Sequence, residues 1–169
     1  MAKVYIGIDN GVSGSIGVLT ETGSIFLRVP EITRSEQDYT KTKRNITRVS
    51  PGQLRQFLNQ FRSGADKVHV MMERPMTNAN RYRATISAHR CLECFLIILE
   101  SLGFSFEYID SRQWQKDLLP NGTKGAPALK EASKDIGLRL FPEHRDKILK
   151  QGDADGLMIA EACRRFYKE

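Results

Sequence analysis

The chain has 169 residues and a net charge of +6, with 40% hydrophobic and 27% charged residues. This is an ordinary soluble balance, long enough for one domain with a packed core and too short for two comfortable ones. The most apolar run, Cys94 to Phe104, falls far short of the ~20 residues of a membrane span, and a pI of about 9.3 fits either a polyanionic partner, most often nucleic acid, or a lysine-rich solubilising surface.

Lys3–Asp9 alternates and is rich in β-branched residues, which predicts a strand, and no signal peptide is expected. Ser13–Leu19 follows after the turn "NGVSG" as a second, antiparallel strand, and Ser24–Val29 as a third. Glu31–Arg48 is polar, mixed in charge and aperiodic, and reads as a long loop. "SPGQLRQFLNQF" is a helix with Ser50 as its cap, Pro51 at its first position and Gly64 as its stop. Lys67–Glu73 is a fourth strand that ends in a carboxylate as the first does. A helix from about Arg81 to Leu102, closed by Gly103, leads to a fifth strand at Phe104–Ile109. "SRQWQKDLL" starts a short helix capped by Ser111, Ala128–Leu140 forms another, "FPEHRDKILKQG" is a connection, and a last helix runs from about Asp153 to Tyr167. This order predicts a single α/β domain: a mixed five-stranded sheet of three antiparallel meander strands plus two parallel ones, flanked by helices.

Three cysteines, Cys91, Cys94 and Cys163, argue against a disulfide scaffold and for a reducing compartment, so the chain is expected to be cytoplasmic. "CLEC" matches a CxxC spacing but sits inside an apolar helical pattern with no second pair, which favours core packing over zinc or redox chemistry. Three acids draw more attention. Asp9 and Glu73 end strands whose tips open on one sheet edge, where such folds place their sites. Asp155 sits in "GDADGLMIA" at the start of the last helix. An acid after a strand is often a turn residue and one at a helix start is often a cap. A glutamate that continues the apolar run "VMME", however, is costly unless it is used. Carboxylates gathered from distant segments are stable together mainly around a divalent cation, and oxygen-only ligands suit Mg²⁺, with Mn²⁺ able to substitute.

In order along the chain, "YIGIDNGVSGSIGV", "HVMMERP", "SRQWQKDLLP", "LFP" and "DADGLMIAEA" resemble the RuvC-like Holliday junction resolvases, most closely their small phage-type branch. The resemblance covers nearly the whole chain. It implies an RNase H-like fold, a homodimer, and Mg²⁺-dependent paired nicking of four-way DNA junctions by metal-activated water. If phage-encoded, the chain would act in the host cytoplasm. Asp9, Glu73 and Asp155 would be the metal ligands and catalytic acids. The family's fourth ligand lies three or four residues before the last acid, where this chain has Gly152 and Gln151. Asp153 can replace it only if the helix begins after it; otherwise it is the cap, and Gln151 or water fills the place.

For DNA contact the Glu31–Arg48 loop offers Arg34, Lys41, Lys43, Arg44 and Arg48, next to Glu31, Glu36 and Asp38, each on its own a solvated surface charge; the better candidates are Arg74, Arg81 and Arg83, which follow Glu73, with Arg112, Lys116, Lys124 and Lys130 further on. Met76 is a candidate wedge at the crossover, by likeness to the family, with core packing as its alternative. Trp114 reads as a core anchor of its helix, His69 as a sheet-face residue and His144 as a weaker candidate for assisting the chemistry. The apolar surplus on the long helix fits a dimer seam or a fully buried helix. The rival readings are a less specific RNase H-like nuclease on branched DNA or RNA–DNA hybrids, and a non-catalytic junction binder. "GIDNGVSGS" also resembles the first phosphate loop of sugar-kinase-like ATPases, which need several hundred residues, so no nucleotide cofactor and no membrane partner is expected.

Overall fold

The computed structural model describes residues 3–37, 41–62 and 67–168. Gly64, the expected helix stop, and Asp38 lie outside them. A five-stranded sheet has the order β3-β2-β1-β6-β7, with β1 (Lys3–Ile8), β2 (Ser15–Leu19), β3 (Ser24–Arg28), β6 (Lys67–Glu73) and β7 (Phe106–Ile109). The first three strands pair antiparallel, and β1·β6 and β6·β7 pair parallel. The mixed sheet flanked by helices is thus observed as the sequence predicts.

Strand alternation divides the core between the two sheet faces. Val4, Ile6 and Ile8 point to one face, where they pack with Leu54 and Leu58 of α1 (Pro51–Asn59) and Phe95 and Leu99 of α2 (Tyr82–Leu102). Tyr5 and Met71 point to the other. There they meet Leu157, Met158 and Ile159 of α6 (Asp155–Phe166) and Trp114 of α3 (Ser111–Leu118). The second face also carries α4 (Ala126–Leu140) and α5 (Arg145–Gln151).

On this face α6 lies almost on the sheet backbone. Gly7 and Gly17 are register partners. A methyl group on Gly7 would stand 2.1 Å from the Ala160 nitrogen, and one on Gly17 would stand 2.5 Å from the Gly156 oxygen. No side chain other than hydrogen fits between strand and helix at these points.

Several expectations are corrected. The stretch Glu31–Arg48 is an antiparallel ribbon, β4 (Glu31–Glu36) and β5 (Arg44–Val49), with Ile32 opposite Arg48 and Glu36 opposite Arg44. Its strands carry Ile32, Thr33, Ile46, Thr47 and Val49, good strand formers hidden among charges. The Thr33 and Thr47 hydroxyls meet at 2.8 Å across it, and the Ser50 N–H donates to the Pro30 carbonyl at its base. The "FPEHRDKILKQG" segment is a short 3₁₀ turn and then α5, which buries Ile148 and ends at Gly152 in the left-handed region. Ser50 and Ser111 make no side-chain caps; Ser111 is the first residue of α3, after Asp110. Gly103, at φ 74°, closes α2 as expected. No helix among the described residues is long and apolar enough to cross a membrane.

Candidate metal centre

Ile8 pairs with Met72 in the parallel ladder, so Asp9 and Glu73 leave the sheet side by side at the carboxyl ends of β1 and β6. The Gly7 seat brings the start of α6 to the same edge. Oxygens of Asp9, Asp153 and Asp155 all lie within 4.8 Å of one another, the one such acidic group among the described residues. The sequence expectation was Asp9, Glu73 and Asp155, with Asp153 conditional. The condition is met: α6 begins at Asp155, and Asp153 precedes it with a buried side chain. Glu73 is not in the close group; the Trp114 indole Nε1 donates to its Oε2 at 2.8 Å.

Each acid is held by neighbours. The Ser133 hydroxyl, buried on α4, donates to Asp155 Oδ1 at 2.5 Å and accepts from the Ala154 N–H at 3.2 Å. Asp153 Oδ1 accepts from the Asp155 N–H, and Ser15 Oγ accepts from the Gly156 N–H, so side chains satisfy these first amides of α6. Gly137, one turn beyond Ser133, leaves room for Ala154, whose Cβ would lie 2.3 Å from a methyl group there. The Gln151 amide donates to the Ser13 carbonyl at 2.8 Å and so braces the glycine turn.

The cluster is electrostatically loaded. Burial, followed by the charges of Asp155, Glu73 and Asp153, holds the Asp9 carboxyl well above its ordinary range. Asp155 is pushed up to about 7, by burial first and the Asp153 charge second, against the Ser133 hydrogen bond. Burial raises Glu73 too, opposed by the Trp114 hydrogen bond. Among the described residues, Lys130 answers these charges. Lys130 Nζ lies 3.2 Å from Asp153 Oδ2. Burial pulls the lysine down, and its hydrogen bond to Asp153, with the charges of Asp153, Asp155 and Asp9, more than reverses this. Lys130, expected at DNA phosphates, therefore faces the acids. Mutually repelling oxygen donors, Asp153 buried and Asp9 and Asp155 half-buried, beside the exposed Lys130 fit a divalent cation of the Mg²⁺ class.

Trp114 is in the core as expected, but it also orients Glu73, a role that no spacing in the sequence signals. Ser133 was missed as well; its trace is the small pair Ser133 and Gly137, four residues apart on α4. The expected DNA residues fall in several places. Arg74, Met76, Arg112 and Lys116 line one cleft beside Glu73, and Arg112, Lys116 and Lys124 line the next. Arg74 pairs with Asp110 at 3.1 Å and lies over the Tyr108 ring. Met76 is 77% exposed, which removes its core alternative. Arg81 ends a 3₁₀ turn before α2, and Arg83 faces a separate cleft beside β5. His69 is buried between Tyr5 and Tyr167. His144 is buried against Phe26 and Ser24, four residues down the sheet and two strands across from Asp9, and takes no part in the centre.

The sheet order and the helix carrying Asp155 define an RNase H-like fold of the RuvC type, with an acidic cluster at the edge of its two central parallel strands. Two solved structures of RuvC from Thermus thermophilus share it. One, in complex with a Holliday junction substrate, matches with a TM-score of 0.56 and 15% identity over 99% of this chain and 94% of that one. The other matches with a TM-score of 0.50 and 18% identity over 99% and 95%. No protein-family model matches the chain, and no curated protein matches it.

Proposed function

We propose that the chain is a divalent-metal-dependent endonuclease that resolves four-way DNA junctions by paired nicks. The observation that carries this reading is the convergence of Asp9, Asp153 and Asp155 within 4.8 Å at the sheet edge. These three would hold the ion, Mg²⁺ or Mn²⁺, with Glu73 completing the set from the neighbouring strand. A bound ion of this kind supplies Lewis-acid polarisation of a phosphodiester and activation of water.

The rest belongs to the chain itself. Ser133 holds Asp155 by its Oδ1 and Trp114 holds Glu73 by its Oε2, so two acids enter the reaction already oriented. Lys130 neutralises part of the cluster from the solvent side. Arg74, Arg112, Lys116 and Lys124 line the clefts next to Glu73 and are placed to contact phosphates flanking the cut. Met76 stands exposed in the same cleft, as a wedge that unstacks bases at a branch point must. That exposure favours branched DNA over a linear hybrid. Asp153 supplies the fourth acid, whose absence from the family's position suggested a non-catalytic binder. A homodimer would present two centres to the two strands of a symmetric junction.

The test is incubation with a labelled mobile four-way junction and Mg²⁺, beside linear duplex, a Y-fork and an RNA–DNA hybrid. Paired nicks at the junction are expected, lost in Asp155→Asn while binding persists. Binding without cutting in Mg²⁺ or Mn²⁺ would make the chain a junction binder, and faster cutting of the hybrid would make it a general RNase H-like nuclease.

A further inference from the structure

The ribbon β4–β5 and the amino-terminal half of α2 enclose a cleft of about 420 Å³ on the side of the glycine turn away from α6. Two rows of arginines line it. Arg83 and Arg90 are seven residues apart on α2, which separates them by about 10 Å along the axis. Arg44 and Arg48 are four residues apart on β5, on one face of the ribbon and about 13 Å apart. These spans equal the rise of about three to four nucleotides along one strand. A single small anion would need one pair of cations; two extended rows suit a polyanion.

The cleft is not remote from the acids. Val12, in the turn that follows Asp9, lines it. The Asn10 side-chain amide lies 3.4 Å from the Ala88 carbonyl of α2, which ties the turn to the same helix. Glu36 faces the arginines: its Oε1 lies 3.1 Å from Arg48 Nε and 3.9 Å from Arg90 Nη2, and so bridges the two walls. A carboxylate in that place occupies guanidinium groups that a phosphate would otherwise take.

We propose that this cleft binds the sugar–phosphate backbone of one junction arm, and that Glu36 acts as an internal competitor for the phosphate. The inference rests on the proposed action on branched DNA and adds a second contact surface to it, away from the clefts beside Glu73. The ribbon then serves as a clamp that fixes how an arm leaves the metal centre, without reading sequence.

Junction binding is measured without divalent metal over a series of salt concentrations, for the wild type, Arg44→Ala/Arg48→Ala, Glu36→Gln and the control Arg55→Ala on α1. The double variant is expected to bind about tenfold or more weakly, and the slope of log affinity against log salt should fall by about 2. Glu36→Gln should bind about threefold more tightly, a gain that a damaged fold would not give. Arg55→Ala should match the wild type. If the wild type cuts junctions but neither variant moves the affinity or the slope, the clamp is wrong and the proposed function stands. If the double variant instead turns a dimer into a monomer in sedimentation with its salt slope unchanged, the cleft is a subunit seam and the clamp is again wrong. If the wild type neither binds nor cuts branched DNA, both readings fall.

Discussion

On one face of the sheet, α1 and α2 meet Val4, Ile6 and Ile8 through full-sized side chains such as Leu54, Phe95 and Leu99. On the other, α6 lies on Gly7 and Gly17, close enough that a methyl group on Gly7 would stand 2.1 Å from the helix backbone. The first face gains its stability by burying apolar surface. The second face fixes a distance. Asp155 begins the helix that rests on Gly7, and Asp9 follows Gly7 by two residues on the same face, so the glycine contact sets the gap between the two carboxylates. Stability and site geometry are thus assigned largely to opposite faces of one sheet.

Substitutions on the two faces should separate these properties. The largest loss of stability belongs to the apolar face: Phe95→Ala should cost about 3–5 kcal/mol in urea unfolding, while the Mn²⁺ affinity of the folded protein stays as in the wild type. Gly7→Ala should cost less, about 1–3 kcal/mol, yet weaken Mn²⁺ binding about tenfold or more, because α6 must move away from β1. A Gly7 variant that keeps full metal affinity would break the comparison.

The acid-bearing face should make stability depend on pH below neutrality. Without metal, Asp155 titrates near 7 in the folded state against an ordinary value of 3.8. Between these values the folded chain holds a proton that the unfolded chain has lost. Stability is therefore greatest on the acid side and falls as pH rises toward about 7, by at most about 1.4 kcal/mol per pH unit for that proton. Thermal unfolding in a chelator should show this decline, Mg²⁺ should reverse it, and Asp155→Asn should make it shallower, the raised carboxyls of Asp9 and Glu73 supplying the remainder. Phe95→Ala should lower the whole curve without changing its slope.

The smallest effect concerns Glu73. Trp114→Phe keeps the packing and removes the indole donor, at about 1–2 kcal/mol, and should weaken Mn²⁺ binding only a few-fold, since the three close acids remain. Trp114 is the only tryptophan in the chain, so its emission should change when Mn²⁺ binds in the wild type, and Glu73→Gln should remove most of that change.

The sheet was legible in the sequence because β1, β2, β3 and β6 alternate or run apolar between clear turns. The ribbon was not, because its β-branched residues lie among seven charges in the described strands and their flanks, from Glu31 to Arg48, and strand pairing there is set by partner backbone rather than by an apolar face. Asp9 and Glu73 were readable as acids at strand tips on one edge, and Asp155 as an acid at the start of the last helix. Asp153 stayed open because its reach depended on whether α6 begins before or after it, and helix starts are the least determined feature of a sequence. Ser133 and Trp114 act through contacts 22 and 41 residues away in the chain, and nothing local marks them.

The central claim is that the glycine seat assembles Asp9, Asp153 and Asp155 into a divalent-metal site. Paramagnetic resonance of free Mn²⁺, titrated against the wild type and against Asp9→Asn without DNA, tests it most directly. The account predicts saturable Mn²⁺ binding in the wild type, competed by Mg²⁺, and its loss in Asp9→Asn with the fold retained by circular dichroism. Equal binding in the two proteins, or none in the wild type, would contradict it.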